Sequence, residues 1–373
     1  MRYEVGTLNN RLLCIMYMMD AGGAESMIMK LYREASRYGV FFDFLLFSEK
    51  KGFYDEEIRA LGGKIFYIGD ASIKKNPIRF FYKFISFLNS HKYSRVLQST
   101  EQSYFAVYAL LARLLGSKIV AIRSTNSTTC KGFTWDFISK LMVFIPRLAS
   151  NVRFAPSKVA ADFLFGDNSD VQILRNGISI ENFIFHSSLR NRYRDELAIN
   201  ESLVVGHIGR FSKQKNHKFL LEIFKEITYC QQNSLLCLVG TGELKDEIKK
   251  YAVQLGVIDK VLFLGIRKDV PHVMMAMDVM IFPSFYEGMP NVVIEAQTTG
   301  LPCLVSDTIT EECKVTDKVE FLSLTNSAVE WANKSLSMIN NDTKREDYAG
   351  KMKAAGYDIK DVAREFVTCM RLM

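Results

Sequence analysis

Short apolar runs alternate along the chain with longer stretches whose apolar residues recur every three or four positions. The short runs are too brief for helices and read as buried strands; the longer ones read as amphipathic helices packed over them. In the first half the pattern predicts strands at 12–18, 42–47, 64–68, 95–98, 118–122 and near 151–157. Helices are predicted at 24–38, 76–88, 105–115 and 157–165, with Asn76 as cap and Pro77 at the first helical position. A second series places strands at 204–208, 235–239, 261–264, 279–282 and 302–305, and helices at 218–228, 244–255, 270–275 and 290–299. Strand and helix in strict alternation imply βαβ units and parallel sheets.

The regularity lapses over 171–185, where Asn176-Gly177 is a turn pair. The domain junction is expected here. It gives a first Rossmann-like domain over 1–172 completed by a returning helix over 358–373, and a second over 173–357. A length of 373 residues, 48% hydrophobic, suits two such cores. Doubly wound sheets bind ligands beyond the carboxyl ends of their strands, so chemistry is sought in those loops.

Charge is uneven. Residues 1–165 carry 23 Lys and Arg against 13 Asp and Glu, a net +10, whereas 166–373 carry 25 against 28, a net −3. A basic first half points to an anionic partner. No recognition-helix, zinc-finger or ribonucleoprotein signature accompanies it, so nucleic acid is not expected as a partner, and a membrane surface or phosphorylated acceptor is. Two stretches mix cations or aromatics in a way that suits either core packing or docking on an anionic membrane: 74–84, and 132–148 with Trp135 and Phe137. Seven cysteines without a C-x-x-C pair suggest reduced thiols in a cytosol. No stretch nears the ~20 apolar residues of a membrane span, and no signal peptide is read at the start. A cytoplasmic protein is expected, peripheral at the inner face of the membrane.

The strongest motif is Glu287-Gly-Met-Pro-Asn-Val-Val-Ile-Glu295, two acids seven residues apart. Pro290 suits a first helical turn, which puts Gly288 and Met289 just ahead of a helix whose unpaired N–H groups attract an anion. Glu287 then lies in the loop and Glu295 more than one turn into the helix. Surface acids would have the same spacing; the surrounding sequence separates the readings.

PSFYEGMPNVVIEAQTTGLPCLVSD resembles the signature of the family 4 retaining glycosyltransferases, which have the GT-B fold. The resemblance extends through HIGRFSKQKNHKFLLEIF, LVGTGELKDEIKKYAVQLGVIDKVLFLGIRKDV and AGGAESMIMKLYREAS, spans essentially the whole chain, and is nearest to the bacterial exopolysaccharide and capsule branch. It implies that Glu295 holds the donor ribose, Glu287 contacts the donor sugar, and Arg210 and Lys215 neutralise the diphosphate. Gly288, Met289, Asn291 and Val292 would line the donor site, with backbone from Gly22, Gly23, Gly240 and Ile266 approaching the phosphates or base. It also implies that the leaving phosphate helps to deprotonate the acceptor.

No Asp-x-Asp pair occurs to hold a divalent metal, so metal-independent transfer is expected, with a nucleotide sugar, UDP-linked, as co-substrate and no cofactor. The acceptor would be a glycan or a lipid-linked saccharide. Relatives carry His-x-His pieces where this chain has Gln98-Ser99-Thr100 and Arg123-Ser124-Thr125-Asn126. Either Arg123 takes over as a donor to the sugar or leaving group, or the chain is a catalytically inactive nucleotide-sugar-binding subunit of an assembly complex.

Overall fold

Most of the strands are largely apolar because helices cover both faces of each sheet, as parallel sheets require. In a computed structural model of the chain, residues 10–20, 22–69, 76–125, 142–166, 170–340, 345 and 347–372 are described. They form two units: Met1–Ile178 with Tyr357–Met373, and Ser179–Gly356.

The first unit contains β1 (Arg11–Met16), β2 (Phe41–Leu46), β3 (Ile65–Tyr67), β4 (Arg95–Thr100), β5 (Ile119–Ser124), β6 (Val152–Ala155) and β7 (Gln172–Ile173), ordered β3-β2-β1-β4-β5-β6-β7. All recorded pairings are parallel. Alternate residues face opposite sides of a strand. Leu12, Cys14, Phe42, Phe44, Leu97 and Phe154 therefore share one face, under helices Gly23–Ser36 and Ile359–Cys369. Leu13, Ile15, Leu45, Val96 and Val120 share the other, under Pro77–His91 and Val107–Leu114.

Helix Ile359–Cys369 buries Ile359, Val362, Ala363, Phe366 and Val367, a single stripe at helical spacing. Its start is fastened to the end of the first segment: Ile178 N donates to Tyr357 O at 2.8 Å, and Ile359 N to Ile178 O at 2.9 Å.

The second unit contains β8 (Leu203–Ile208), β9 (Ser234–Val239), β10 (Val261–Gly265), β11 (Val279–Phe282), β12 (Cys303–Ser306) and β13 (Val319–Leu322), ordered β10-β9-β8-β11-β12-β13. In both units the first strand is central and the order reverses beside it, between β1 and β4 and between β8 and β11. Each unit is thus a doubly wound α/β domain, and the GT-B fold consists of two such domains.

Some elements differ from the pattern reading. Helix Ser187–Glu196 was not legible because its sequence, SSLRNRYRDE, has no apolar stripe. It is held by Arg190 and Arg194, which reach Asp278 and the carbonyls of Met275, Ala276 and Met277. Pro290 is the cap, and the helix begins at Asn291. In Pro77–His91 the fully buried residues are Phe80, Phe84 and Leu88, while Ile78 and Tyr82 are exposed. Trp135 and Phe137 lie outside the described residues. Among the described residues no helix is long and apolar enough to cross a membrane.

Candidate active site

The loops after β8 and β11 leave the second sheet side by side, since Val279 pairs with Val205 and Met280 with Gly206. After β8 the chain runs through Gly209 and Arg210 into a 3₁₀ turn, Lys213–Lys215, and then helix His217–Cys230. After β11 it runs through Pro283–Pro290 into helix Asn291–Thr298. The sheet's order reverses here, which is where doubly wound folds place ligands.

Lys215 and Glu287 meet at this point. Lys215 Nζ donates to Glu287 Oε1 at 2.6 Å, and the two side chains are only 14% and 13% exposed. The ammonium also lies 4.4 Å from the centre of the Phe282 ring, an additional attraction for a cation. Gln214 Nε2 donates to Glu287 Oε1 at 3.1 Å and to Tyr286 O at 2.8 Å, while Phe285 N donates to Gln214 O at 2.9 Å. The turn carrying Lys215 is thereby buttoned to the loop carrying Glu287. The resulting pair is a partly desolvated cation and carboxylate, each able to turn to an incoming group of opposite charge or to a hydroxyl.

Two histidines underlie the pair. His207 and His217 lie with ring centres 4.7 Å apart, and His217 stacks on Phe211. Burial pulls His217 down to about 4, with the Lys215 charge acting in the same direction. Burial, then His217, pulls His207 well below the usual imidazole range. Both rings are thus neutral near pH 7. His207 Nδ1 faces Ile281 O at 2.9 Å and carries its proton there. The positive charge of this region stays on Lys215.

Backbone surrounds the site closely. Gly209 N donates to Val239 O, Phe211 N to Thr241 O and Gly240 N to Gly265 O, at 2.8–3.0 Å, lacing the loops after β8, β9 and β10 together. Gly240 has φ +134°, and a Cβ there would lie 2.1 Å from Gly209 O, so only glycine fits.

Of the other residues singled out in this unit, Gly288 and Met289 are buried, and Asn291, Val292 and Glu295 are half-buried on the first turns of their helix. Ile266 is exposed in the loop after β10. Arg210 has a different setting from Lys215. Its side chain is 73% exposed and pairs with Glu243 at 3.1 Å.

The residues singled out in the first unit lie at its own strand ends. Gly22 caps helix Gly23–Ser36, and its missing Cβ leaves room for the Glu25 carboxyl, since a Cβ would fall 2.2 Å from Oε2. Burial, with Asp20 and Glu101 adding, raises that carboxyl's pKa. Arg123 sits near the end of β5, 2% exposed, with Nη2 donating to Asn176 Oδ1. Sequence reasoning missed Gln214, Gly209 and the two histidines. Adjacency to Lys215 was the available signal for Gln214; the others required knowing which loops touch.

Among the described residues no group of three or more His, Cys, Asp or Glu is placed to hold a metal ion. The family model for glycosyl transferases group 1 matches residues 190–354, which include every site residue of the second unit. EpsF of Bacillus subtilis, whose glycosyltransferase name is itself provisional, is 33% identical over 357 residues, 93% of each chain. An Escherichia coli protein named UDP-Gal:alpha-D-GlcNAc-diphosphoundecaprenol alpha-1,3-galactosyltransferase is 32% identical over 164 residues, 42% of each chain. HepE of Anabaena, solved in complex with UDP, superposes with a TM-score of 0.79 at 18% identity, covering 97% of this chain and all of that one, which shows a shared fold. The loops joined by Lys215 and Glu287 fall within the matched region, and the likeness to EpsF runs nearly end to end: the chain belongs to the glycosyl transferases group 1 family.

Proposed function

We propose that the chain transfers a sugar, with retention at the anomeric carbon and without a metal, from a UDP-linked donor to a glycan or lipid-linked acceptor in surface polysaccharide assembly. The observation that carries this reading is the Lys215–Glu287 pair at the strand-order reversal of the second unit. A diphosphate arriving there would draw Lys215 away from Glu287, so that the cation meets the leaving group's developing charge and the carboxylate turns to a sugar hydroxyl. Arg210, on an exposed and flexible stem, would swing from Glu243 to the same phosphates. Glu295 would accept from ribose hydroxyls. Gly288, Met289, Asn291 and Val292 would bring helix N–H groups to the diphosphate, and the Gly240 and Ile266 loops would border the nucleotide. On the first unit, Arg123 would be the cation at the strand ends.

The E. coli relative's name supports a UDP-linked donor and a diphospholipid acceptor, and the HepE complex supports UDP. Contact with an anionic membrane would use exposed Ile78, Tyr82, Phe144 and Leu148 beside the basic charge of the first half. Co-sedimentation with anionic but not neutral vesicles, lost at high salt, is the expected result.

The deciding experiment incubates the purified chain with UDP-sugars and lipid-diphosphate saccharides, with and without EDTA, and reads the product's anomeric configuration by NMR. Retained configuration and full activity in EDTA are expected. Loss on chelation with recovery on Mg²⁺ or Mn²⁺ would overturn the metal-free step. Binding of UDP-sugar with neither transfer nor slow hydrolysis would favour the inactive-subunit alternative.

A further inference from the structure

Arg123 is the most deeply buried cationic side chain among the described residues, at 2% exposure. Other buried ions in the chain show what compensation looks like. Asp43, wholly buried, accepts from Arg11 Nε at 2.7 Å and Nη2 at 2.6 Å, from the Tyr93 hydroxyl at 2.6 Å and from Lys64 N at 2.8 Å. Arg194, 8% exposed, spreads its nitrogens over Asp278 and the carbonyls of Ala276, Ile199, Asn200 and Ser202.

Arg123 has one recorded partner among the described residues, the neutral amide of Asn176, and its buried Nε has none. Burial alone draws its pKa down to about 10, with no carboxylate opposing the shift, so the charge persists at pH 7. A buried cation without a counter-charge is costly and is ordinarily neutralised, paired or supplied with an ion.

A second orphan stands beside it. The register of β4 and β5 pairs Ser99 with Arg123, and residues so paired project to the same face of the sheet. The Ser99 hydroxyl is buried and unpartnered. On the other side the register pairs Arg123 with Phe154, an apolar wall. Two unsatisfied polar groups thus lie side by side at the carboxyl ends of neighbouring strands, the ligand edge of such a sheet.

We infer that Arg123 and Ser99 form a subsite for a phosphoryl group, with the guanidinium fork and the Ser99 hydroxyl as donors and Asn176 holding the remaining arm in place. Arginine suits this task because its donors are fixed in one plane that matches two oxygens of an oxyanion. The subsite itself is independent of the donor reading; only the source of the phosphoryl group, a lipid-linked diphosphate rather than a free anion, rests on the proposed function.

The test uses the full chain with UDP saturating, so that the second unit's site is filled. Calorimetry then follows inorganic pyrophosphate in one arm and farnesyl diphosphate in the other. Both should bind the wild type, and Arg123→Met should weaken both at least tenfold, with Arg123→Lys, which keeps the charge and loses the fork, in between. Thermal unfolding should show Arg123→Met no less stable than the wild type, because the substitution removes an uncompensated buried charge. Tighter binding of farnesyl diphosphate identifies a lipid head group as the source; equal binding identifies a free anion. Absence of a saturable second phase, or equal affinities in wild type and Arg123→Met, would overturn the subsite. The UDP titration that precedes these arms reports separately on the donor reading.

Discussion

The two units share a strand order and differ in what stands at their strand ends. Each also contains a carboxylate clamped by arginine for purely structural ends: Asp43 by Arg11 in the first, and Asp278 by Arg190 and Arg194 in the second. At the carboxyl ends they part. The second unit presents Lys215 and Glu287 as a matched pair with Gln214 bracing it. The first presents Arg123 without a counter-charge and Glu25 against Gly22. Repetition of a fold therefore does not repeat a site. The sheet supplies an edge, and a few loop residues decide what that edge can bind.

If the clamps are structural and the loop pairs functional, substitutions should separate stability from activity. The largest effect is expected at Asp43. Asp43→Ala leaves Arg11 facing a buried void and should lower stability by about 3–5 kcal/mol, read by urea unfolding; a loss below ~1 kcal/mol would remove Asp43 from the structural class. Lys215→Ala should lower kcat by roughly a hundredfold or more, the scale of losing one charge-stabilising donor, with little change in melting temperature. Proportionate loss of both would make Lys215 another clamp.

A smaller effect comes from the histidines under the pair. His217 has a folded pKa near 4 against an ordinary value of 6.5, so the unfolded chain binds more protons between those values and stability falls as pH drops through that window. Its share of the loss between pH 7 and pH 5 is about 2 kcal/mol. His217→Phe, which keeps the stack on Phe211, should flatten the profile by that amount in paired urea titrations. A profile unchanged by the substitution would assign the acid sensitivity elsewhere. The smallest effect is Glu295→Ala. Loss of a charged acceptor to ribose hydroxyls should weaken UDP by roughly tenfold, and equal UDP affinity in calorimetry would take Glu295 out of the donor site.

Much of this protein was written in its sequence. Short continuous apolar runs and period-three-to-four patterns placed most strands and helices of both units, because burial on both faces of a sheet leaves an apolar signature that does not depend on what lies opposite. The motif from Glu287 to Glu295 was visible as two acids at a fixed spacing, but its role, and the pair Arg210 and Lys215, came forward only through the resemblance to a known family. Helix Ser187–Glu196 was not visible, because arginine contacts to Asp278 and to carbonyls replace the apolar stripe. Tertiary structure alone decided that Lys215 meets Glu287 72 positions away while Arg210 turns to Glu243. It also decided that Gln214 reaches the same carboxylate and that Arg123 is buried with a lone amide for company. Local pattern records which face of an element is covered; charge compensation depends on which distant loops meet, and only the folded chain contains that information.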